Sequence, residues 1–196
     1  MLKPLALLVT VCLAACGSTS TVGPKTTNPP VVVEEVPVVP AESLAVVIPY
    51  NESFSVACER PSVDWAAAVM DNVSAAGDLR LGLRNEKLGA SVMGVFLGAS
   101  GGGTVVELAE FFRPTDEASV QAGITSTAIE MQGERATFVA EMTKDGVLRR
   151  TRVTVMRLAP DSDILVVAMV QGVPEFWNHL EADFNKLLDS LKPLPK

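Results

Sequence analysis

The chain has 196 residues, a net charge of −7 and 48% hydrophobic residues. These proportions allow one folded domain with a real core and exclude a chain that is disordered throughout. The acidic balance argues against a nucleic-acid-binding protein, which needs a basic surface over the phosphates. Three cysteines and one histidine are too few for a zinc cluster or a disulfide framework, so neither a metal nor another cofactor is expected.

The N-terminal residues have the pattern of a targeting segment. Lys3 precedes an uncharged, mostly apolar run over residues 4–13, which is far shorter than the roughly 20 residues of a membrane-spanning helix. A charged start, a short apolar stretch and small residues predict a secretory signal peptide over residues 1–15. The sequence Leu13-Ala14-Ala15-Cys16 resembles the bacterial lipoprotein box, in which a peptidase cuts before a lipid-bearing cysteine. The alternative is an ordinary signal peptide that ends at Ala-x-Ala, in which Cys16 has no special role.

The lipoprotein resemblance implies a mature envelope protein that begins at Cys16, with lipid on its sulfur and an acyl chain such as palmitate on its amine. Several fatty chains hold a protein firmly at a membrane, whereas a single chain gives only marginal binding. In Gram-negative lipoproteins, an Asp at the next position tends to retain the protein in the inner membrane. Gly17 therefore resembles the residue of an outer-membrane lipoprotein that faces the periplasm. Removal of residues 1–15 takes away one charged residue, Lys3, and leaves the mature chain at −8.

Residues 16–43 are predicted to form the lipidated N-terminus and a linker rich in Pro, Thr and Val. The five prolines in this segment disfavour a helix and favour an extended chain, which could reach roughly 80 Å at most. An alternative for Val31–Val39 is an edge strand added to a partner, but the internal proline argues against it.

Residues 44–196 have the composition of a single packed domain. The spacing of Trp65, Ala66, Val69, Met70 and Val73 predicts a helix from Ser62 to about Ala76. The predicted strands in this half are Leu44–Tyr50, Ser53–Glu59, Asp78–Arg84 and Ala90–Leu97. Thr104 and Glu107 form a capping box for a short helix through about Phe112, and Asp116–Gln121 adds a turn or two of helix.

The second half is rich in predicted strands. Asp145-Gly146 indicates a tight hairpin, since a type I′ turn needs positive φ at both central residues. The predicted antiparallel meander comprises Thr125–Gln132, Arg135–Thr143, Val147–Leu158 and Asp163–Gln171. A last helix follows Pro174 and presents one apolar stripe, formed by Phe176, Leu180, Phe184, Leu187, Leu188 and Leu191. The predicted fold class is α+β: an antiparallel sheet of about six to seven strands packed with helices, an α/β sandwich.

The order of these elements resembles the fold shared by photosystem PsbP proteins and the periplasmic lipoprotein DcrB. The residues that carry the likeness are Phe54-Ser55-Val56 with Pro61 and Trp65, Gly94–Leu97 followed by Val106–Ala109, and Phe184–Leu191. It covers most of residues 45–192 and implies a domain that more often binds or assists than catalyses. Because the family has no shared catalytic site, no catalytic residue is predicted, and we do not expect an enzyme.

Three features that can carry chemistry each have a simpler interpretation. Cys58 is a thiol that could react, but it alternates with Phe54 and Val56 and is expected to be buried. His179 lacks a nucleophile or a second ligand and is expected on the surface. The glycine-rich segment over residues 98–103 precedes a helix and could hold an anion, but a P-loop lysine is missing, so a flexible loop is the preferred interpretation.

Arg149, Arg150 and Arg152 are the candidate partner-binding residues. With a two-residue turn at Asp145-Gly146, Arg150 lies opposite Glu141, which predicts a cross-strand ion pair on an outward face. The functional alternative is docking onto an acidic partner or anionic lipid headgroups. We expect a lipid-anchored envelope module that binds a protein partner without catalysis, and the alternative is a carrier that holds a small ligand in an internal apolar pocket.

Overall fold

The computed structural model describes residues 43–51, 54–69, 79–159 and 162–195. The predicted signal peptide, Cys16 and the linker up to residue 42 lie outside the described residues. The same holds for residues 70–76 of the predicted helix and for residues 53 and 78, the first residues of two predicted strands. Among the described helices, none combines the length and the apolar character needed to span a membrane.

The α+β fold class predicted from the sequence is confirmed. The strands are β1 (Ala45–Asn51), β2 (Phe54–Glu59), β3 (Ala66–Val69), β4 (Leu79–Asn85), β5 (Ser91–Ala99), β6 (Thr125–Ser126), β7 (Glu130–Gln132), β8 (Arg135–Lys144), β9 (Val147–Arg157), β10 (Ile164–Gly172) and β11 (Lys192–Pro195). The α-helices are α1 (Val105–Phe112), α2 (Glu117–Gln121) and α3 (Trp177–Ser190), with 3-10 turns at Glu86–Leu88 and Pro174–Phe176.

Within the described residues, the main sheet has eight antiparallel strands in the order β3-β4-β5-β10-β9-β8-β6, with β7 also paired to β8. A separate three-stranded sheet has the order β1-β2-β11. The prediction of six to seven strands is therefore too low. The segment predicted as the single strand Thr125–Gln132 forms the two short strands β6 and β7.

Strand β11 also adds to the number of observed strands, because the sequence predicts no strand after α3. Pro193 ends the helical pattern as expected, but the chain then turns back and pairs antiparallel with β2, with Lys192 opposite Ala57. Prolines are compatible with an edge strand, where one side of the backbone needs no partner. The residues of β11 thus form one edge of the three-stranded sheet.

The prediction of a helix from Ser62 to about Ala76 is wrong over its described part. Ala66–Val69 forms strand β3, which pairs antiparallel with Leu81–Arg84 of β4. The backbone hydrogen bonds with β4 outweigh the helical preference of the alanines, since propensity is a weak signal in a short apolar segment.

Trp65 is held in place by contacts with distant parts of the chain. Its carbonyl oxygen accepts a 2.8 Å hydrogen bond from the buried Arg60 guanidinium. Its indole N–H donates to Asp183 of α3 at 2.9 Å. These two bonds fix the segment before β3 against the last helix, and Trp65 is fully buried.

In the part of the chain that the structure describes, two hydrophobic cores lie on the two faces of the main sheet. One face packs against α3 and the small sheet, and its core includes Trp65, Leu180, Phe184 and Leu187. The other face packs against α1 through a core that includes Ala109 and Phe138. Strands β5 and β10 contribute to both cores, which explains why their sequences are apolar on both faces. This arrangement is the predicted α/β sandwich.

The β8–β9 hairpin has the predicted turn. Asp145 and Gly146 have φ angles of 53° and 76°, as a type I′ turn requires. The resulting register places Glu141 opposite Arg150 and Val139 opposite Arg152, as predicted.

Candidate binding groove

A groove of about 380 Å³ lies beside the start of α3, on the same face of the main sheet. Helix α3 packs on β10 and on β2, so the outer strands beside it are less covered. The groove is lined by Thr125, Ser126, Thr127, Val139, Glu141, Arg150 and Trp177. It is open to solvent, and its lining combines hydroxyl groups, one ion pair and one aromatic ring.

The ion pair between Arg150 and Glu141 forms one wall. The Nε atom of Arg150 donates to Glu141 Oε1 at 2.7 Å, and Nη2 lies 2.6 Å from the same oxygen. Both side chains are about one-third exposed, at 32% and 34%. The pair contributes little to stability under such solvent screening, at most about 1 kcal/mol. Its main consequence is orientation, because it fixes a positive and a negative group side by side.

Trp177 supports this pair from the first turn of α3. The Arg150 guanidinium carbon lies 5.2 Å from the centre of the Trp177 ring, within the range of a cation–π contact. Trp177 itself is buried. The contact with Arg150 gives this buried ring a role in shaping the groove.

The hydroxyl-bearing rim comes from β6 and the residue after it. Thr127 accepts a hydrogen bond from the Val139 N–H at 3.1 Å, and its own backbone N–H donates to the Val139 carbonyl at 2.9 Å. Ser126 donates to the carbonyl of Pro114 at 3.3 Å. The rim is therefore tied to β8 and to the segment that follows α1, and Thr125 and Thr127 are its exposed members. No sequence motif marks these three residues.

Arg152 is nearby, but its main contacts are with α3. The Arg152 guanidinium carbon lies 5.5 Å from the centre of the Phe184 ring, and Nη1 donates to Asn185 at 3.2 Å. A further ion pair reaches Glu181 at 4.0 Å, and the arginine side chain is only 16% exposed. Arg152 thus fastens the helix to β9.

The structure does not bring the three predicted arginines together. Strand alternation places Arg150 and Arg152 on the face that carries α3. The predicted ion pair between Arg150 and Glu141 is formed there, and its side chains are about one-third exposed along the open groove. Arg149 is directly opposite Met142 on the other face. The cause is the two-residue period of a strand, which separates neighbours in the sequence. Whether any of the three contacts a partner stays a prediction.

Cys58 and His179 lie outside the groove. Cys58 is buried as predicted, and burial, with a smaller contribution from the neighbouring Glu59 carboxylate, raises its pKa to about 12. Its thiol is therefore protonated and unreactive at neutral pH. His179 is exposed on α3. Over the described ranges, no three His, Cys, Asp or Glu side chains are grouped as a metal site would require.

The glycine-rich segment connects β5 to α1. The Thr104 N–H donates to the Glu107 carboxylate at 2.9 Å, and the Glu107 N–H donates to the Thr104 hydroxyl at 3.1 Å, which confirms the predicted capping box. The Thr104 hydroxyl also donates to the Glu107 carboxylate at 3.0 Å. The carboxylate thus accepts from the Thr104 backbone N–H and from its hydroxyl, and these two hydrogen bonds hold the pKa of Glu107 below its ordinary value. A backbone N–H at the start of α1 thus already donates to an acceptor within the chain. The segment before it is held by Arg157, which donates to the Gly103 carbonyl at 3.1 Å.

Comparison with known proteins relates this chain to others through the fold. No protein-family model and no curated protein sequence matches it. Among solved structures it is similar to LpqN, a Mycobacterium tuberculosis protein involved in cell envelope biogenesis, with 11% identity and a TM-score of 0.51 over 77% of this chain and 91% of LpqN. It is also similar to CyanoP, the cyanobacterial PsbP of Synechocystis, with 11% identity and a TM-score of 0.49 over 82% of this chain and 97% of CyanoP. At such identity the likeness to LpqN shows a shared fold.

Proposed function

We propose that this chain is a lipid-anchored protein of the bacterial cell envelope whose α+β domain binds a protein partner without catalysis. The anchor is lipid on Cys16, and Gly17 places the protein at the outer membrane, facing the periplasm, in a Gram-negative host. The proposal includes no cofactor and no nucleic acid. It is supported by the lipoprotein-like residues Leu13–Cys16 and by a fold shared with a protein of envelope biogenesis.

The groove is the observation that carries the binding role. Its charged groups, Glu141 and Arg150, are already paired with each other, and neither Cys58 nor His179 lines it. Such a pair offers a fixed pattern of donor and acceptor to a partner, but it provides neither a nucleophile nor a free general base. An open groove with a polar rim also favours a protein-binding module over a carrier, which needs an enclosed apolar cavity.

Photo-crosslinking from the groove tests this proposal. A photoreactive residue at Thr125, on the exposed rim, is expected to give one discrete adduct in intact envelopes. The same residue at Val63 is the control, since Val63 is 58% exposed and precedes β3 at the opposite edge of the main sheet. We expect little or no adduct from the Val63 position.

A charge swap makes the test specific. Glu141→Arg combined with Arg150→Glu keeps opposite charges side by side but reverses the pattern that a partner meets. We expect the yield of the Thr125 adduct to fall about fivefold or more, with circular dichroism confirming an intact fold. Equal adducts from Thr125 and Val63, or an adduct that survives the swap undiminished, would contradict a specific groove interaction.

A further inference from the structure

The β8–β9 hairpin extends beyond the strands that flank it. On one side, pairing of β9 with β10 ends at Arg150 opposite Gly172. On the other side, β6 begins at Thr125 opposite Glu141. The hairpin itself continues to Lys144 opposite Val147. Its last three residue pairs therefore have no paired strand on either side within the described residues.

One face of this extension combines cations with apolar groups. Arg149 is directly opposite Met142, and Val147 is directly opposite Lys144. Strand alternation places all four on the same face of the sheet, away from α3. Met142 packs in part on the second core, whereas Lys144 is exposed and Val147 is 43% exposed. We refer to Met142, Lys144, Val147 and Arg149 as the hairpin-tip patch.

The charge of the patch differs in sign from that of the chain. Within residues 142–149 the acidic residue is Asp145 at the turn, so this segment carries +1 in a chain of net charge −7. An exposed valine and a partly buried methionine beside two long cationic side chains suit a surface with anionic and apolar layers. Lys and Arg can keep their charged ends at the headgroups while their aliphatic parts lie along apolar surface.

We propose that the hairpin-tip patch contacts the surface of a bilayer that contains anionic phospholipid. A membrane is favoured over an acidic protein because the chain is expected to be tethered beside one, which keeps the local concentration of that surface high. In this respect the inference rests on the proposed lipid anchor. The patch is separate from the groove, since Arg149 and Arg150 lie on opposite faces of the sheet.

Site-specific fluorescence tests the contact without lipid on the protein. In the full chain with Cys12→Ser and Cys16→Ser, Val147→Cys carries an environment-sensitive dye, while the buried Cys58 stays unlabelled. Vesicles of 30% phosphatidylglycerol in phosphatidylcholine are expected to shift the dye emission to the blue, and pure phosphatidylcholine vesicles are not. High salt weakens the response, because it screens the surface potential. The same dye at Val63→Cys is the matched control and is expected not to respond.

Charge removal provides the decisive comparison. The double variant Lys144→Gln with Arg149→Gln should lower the apparent partition of the dye-labelled protein into the anionic vesicles about tenfold or more. The control is Lys186→Gln with Lys192→Gln, which removes two cations outside the hairpin and should leave this partition unchanged. An equal response to both vesicle types, or a response that persists after the Lys144 and Arg149 changes, would overturn the proposal. A response to polyglutamate but not to vesicles would also overturn it and indicate an acidic protein partner. Because Cys16 is replaced throughout, a failure here leaves the proposed anchor and groove untouched.

Discussion

Gly172 lies where β10 passes beneath α3. A Cβ atom at this position would overlap the Leu180 side chain and the Ser91 hydroxyl. Both of those residues are fully buried, so neither can move into solvent to make room. The close approach of helix and sheet therefore depends on the absence of a side chain at Gly172.

We accordingly predict that Gly172→Ala destabilises the domain by about 1–3 kcal/mol through overpacking. The control is Gly98→Ala at the exposed end of β5, where an added Cβ meets nothing within 4 Å; we expect a change within about 0.5 kcal/mol. Urea unfolding followed by tryptophan fluorescence measures both. Matching unfolding midpoints for the two variants would show that α3 is not packed closely on Gly172.

The three arginines show which contacts the sequence predicts and which depend on distant parts of the chain. The turn at Asp145-Gly146 fixed the register, so the pairing of Arg150 with Glu141 was predictable from local chemistry alone. Which face carries α3 was not predictable, because that depends on how distant segments pack. For this reason Arg152 was expected at a binding surface but is largely occupied in holding α3 to β9.

Helix α3 is the element on which the first core depends. Its apolar stripe lies against the main sheet, and Phe184 at its centre is fully buried and contacts the Arg152 guanidinium. Phe184→Ala is therefore expected to cost about 3–5 kcal/mol of unfolding free energy, from lost burial and the cavity left behind.

Phe111→Ala on α1 is the matched control for this prediction. Phe111 is 50% exposed, so removal of its ring leaves no enclosed cavity, and we expect a much smaller loss than at Phe184. Thermal unfolding of both variants, followed by circular dichroism, gives the comparison. An unchanged melting temperature for Phe184→Ala would mean that α3 is not docked as described.

At the level of elements, strong local signals predicted the structure and weak ones did not. The β8–β9 hairpin and the cap of α1 each follow from a few adjacent residues and are confirmed. The segment Ala66–Val69 is short and apolar, and its strand conformation comes from pairing with β4. Strand β11 likewise exists because β2 offers it an edge. Neither pairing is encoded within the segment that adopts it.

At the scale of the whole molecule, the groove was not predictable because its lining comes from three separate parts of the chain. The rim precedes β8, the ion pair spans the hairpin, and Trp177 starts α3. The hairpin brings the groove to one face of the sheet and the hairpin-tip patch to the other. Under the two proposals, the protein contacts a membrane through one face of the sheet and a partner through the opposite face.

That arrangement requires the chain to be held at a membrane, and the proposed anchor is Cys16. Attachment of lipid needs the Cys16 sulfur, so Cys16→Ser is expected to abolish incorporation of labelled palmitate and to leave residues 1–15 uncleaved, which mass spectrometry detects. Cys12→Ser is the matched control, because it makes the same change four residues earlier and is expected to leave lipidation and cleavage intact. Fatty-acid labelling that persists in Cys16→Ser, or that is lost in Cys12→Ser alone, would show that Cys16 is not the lipidated residue.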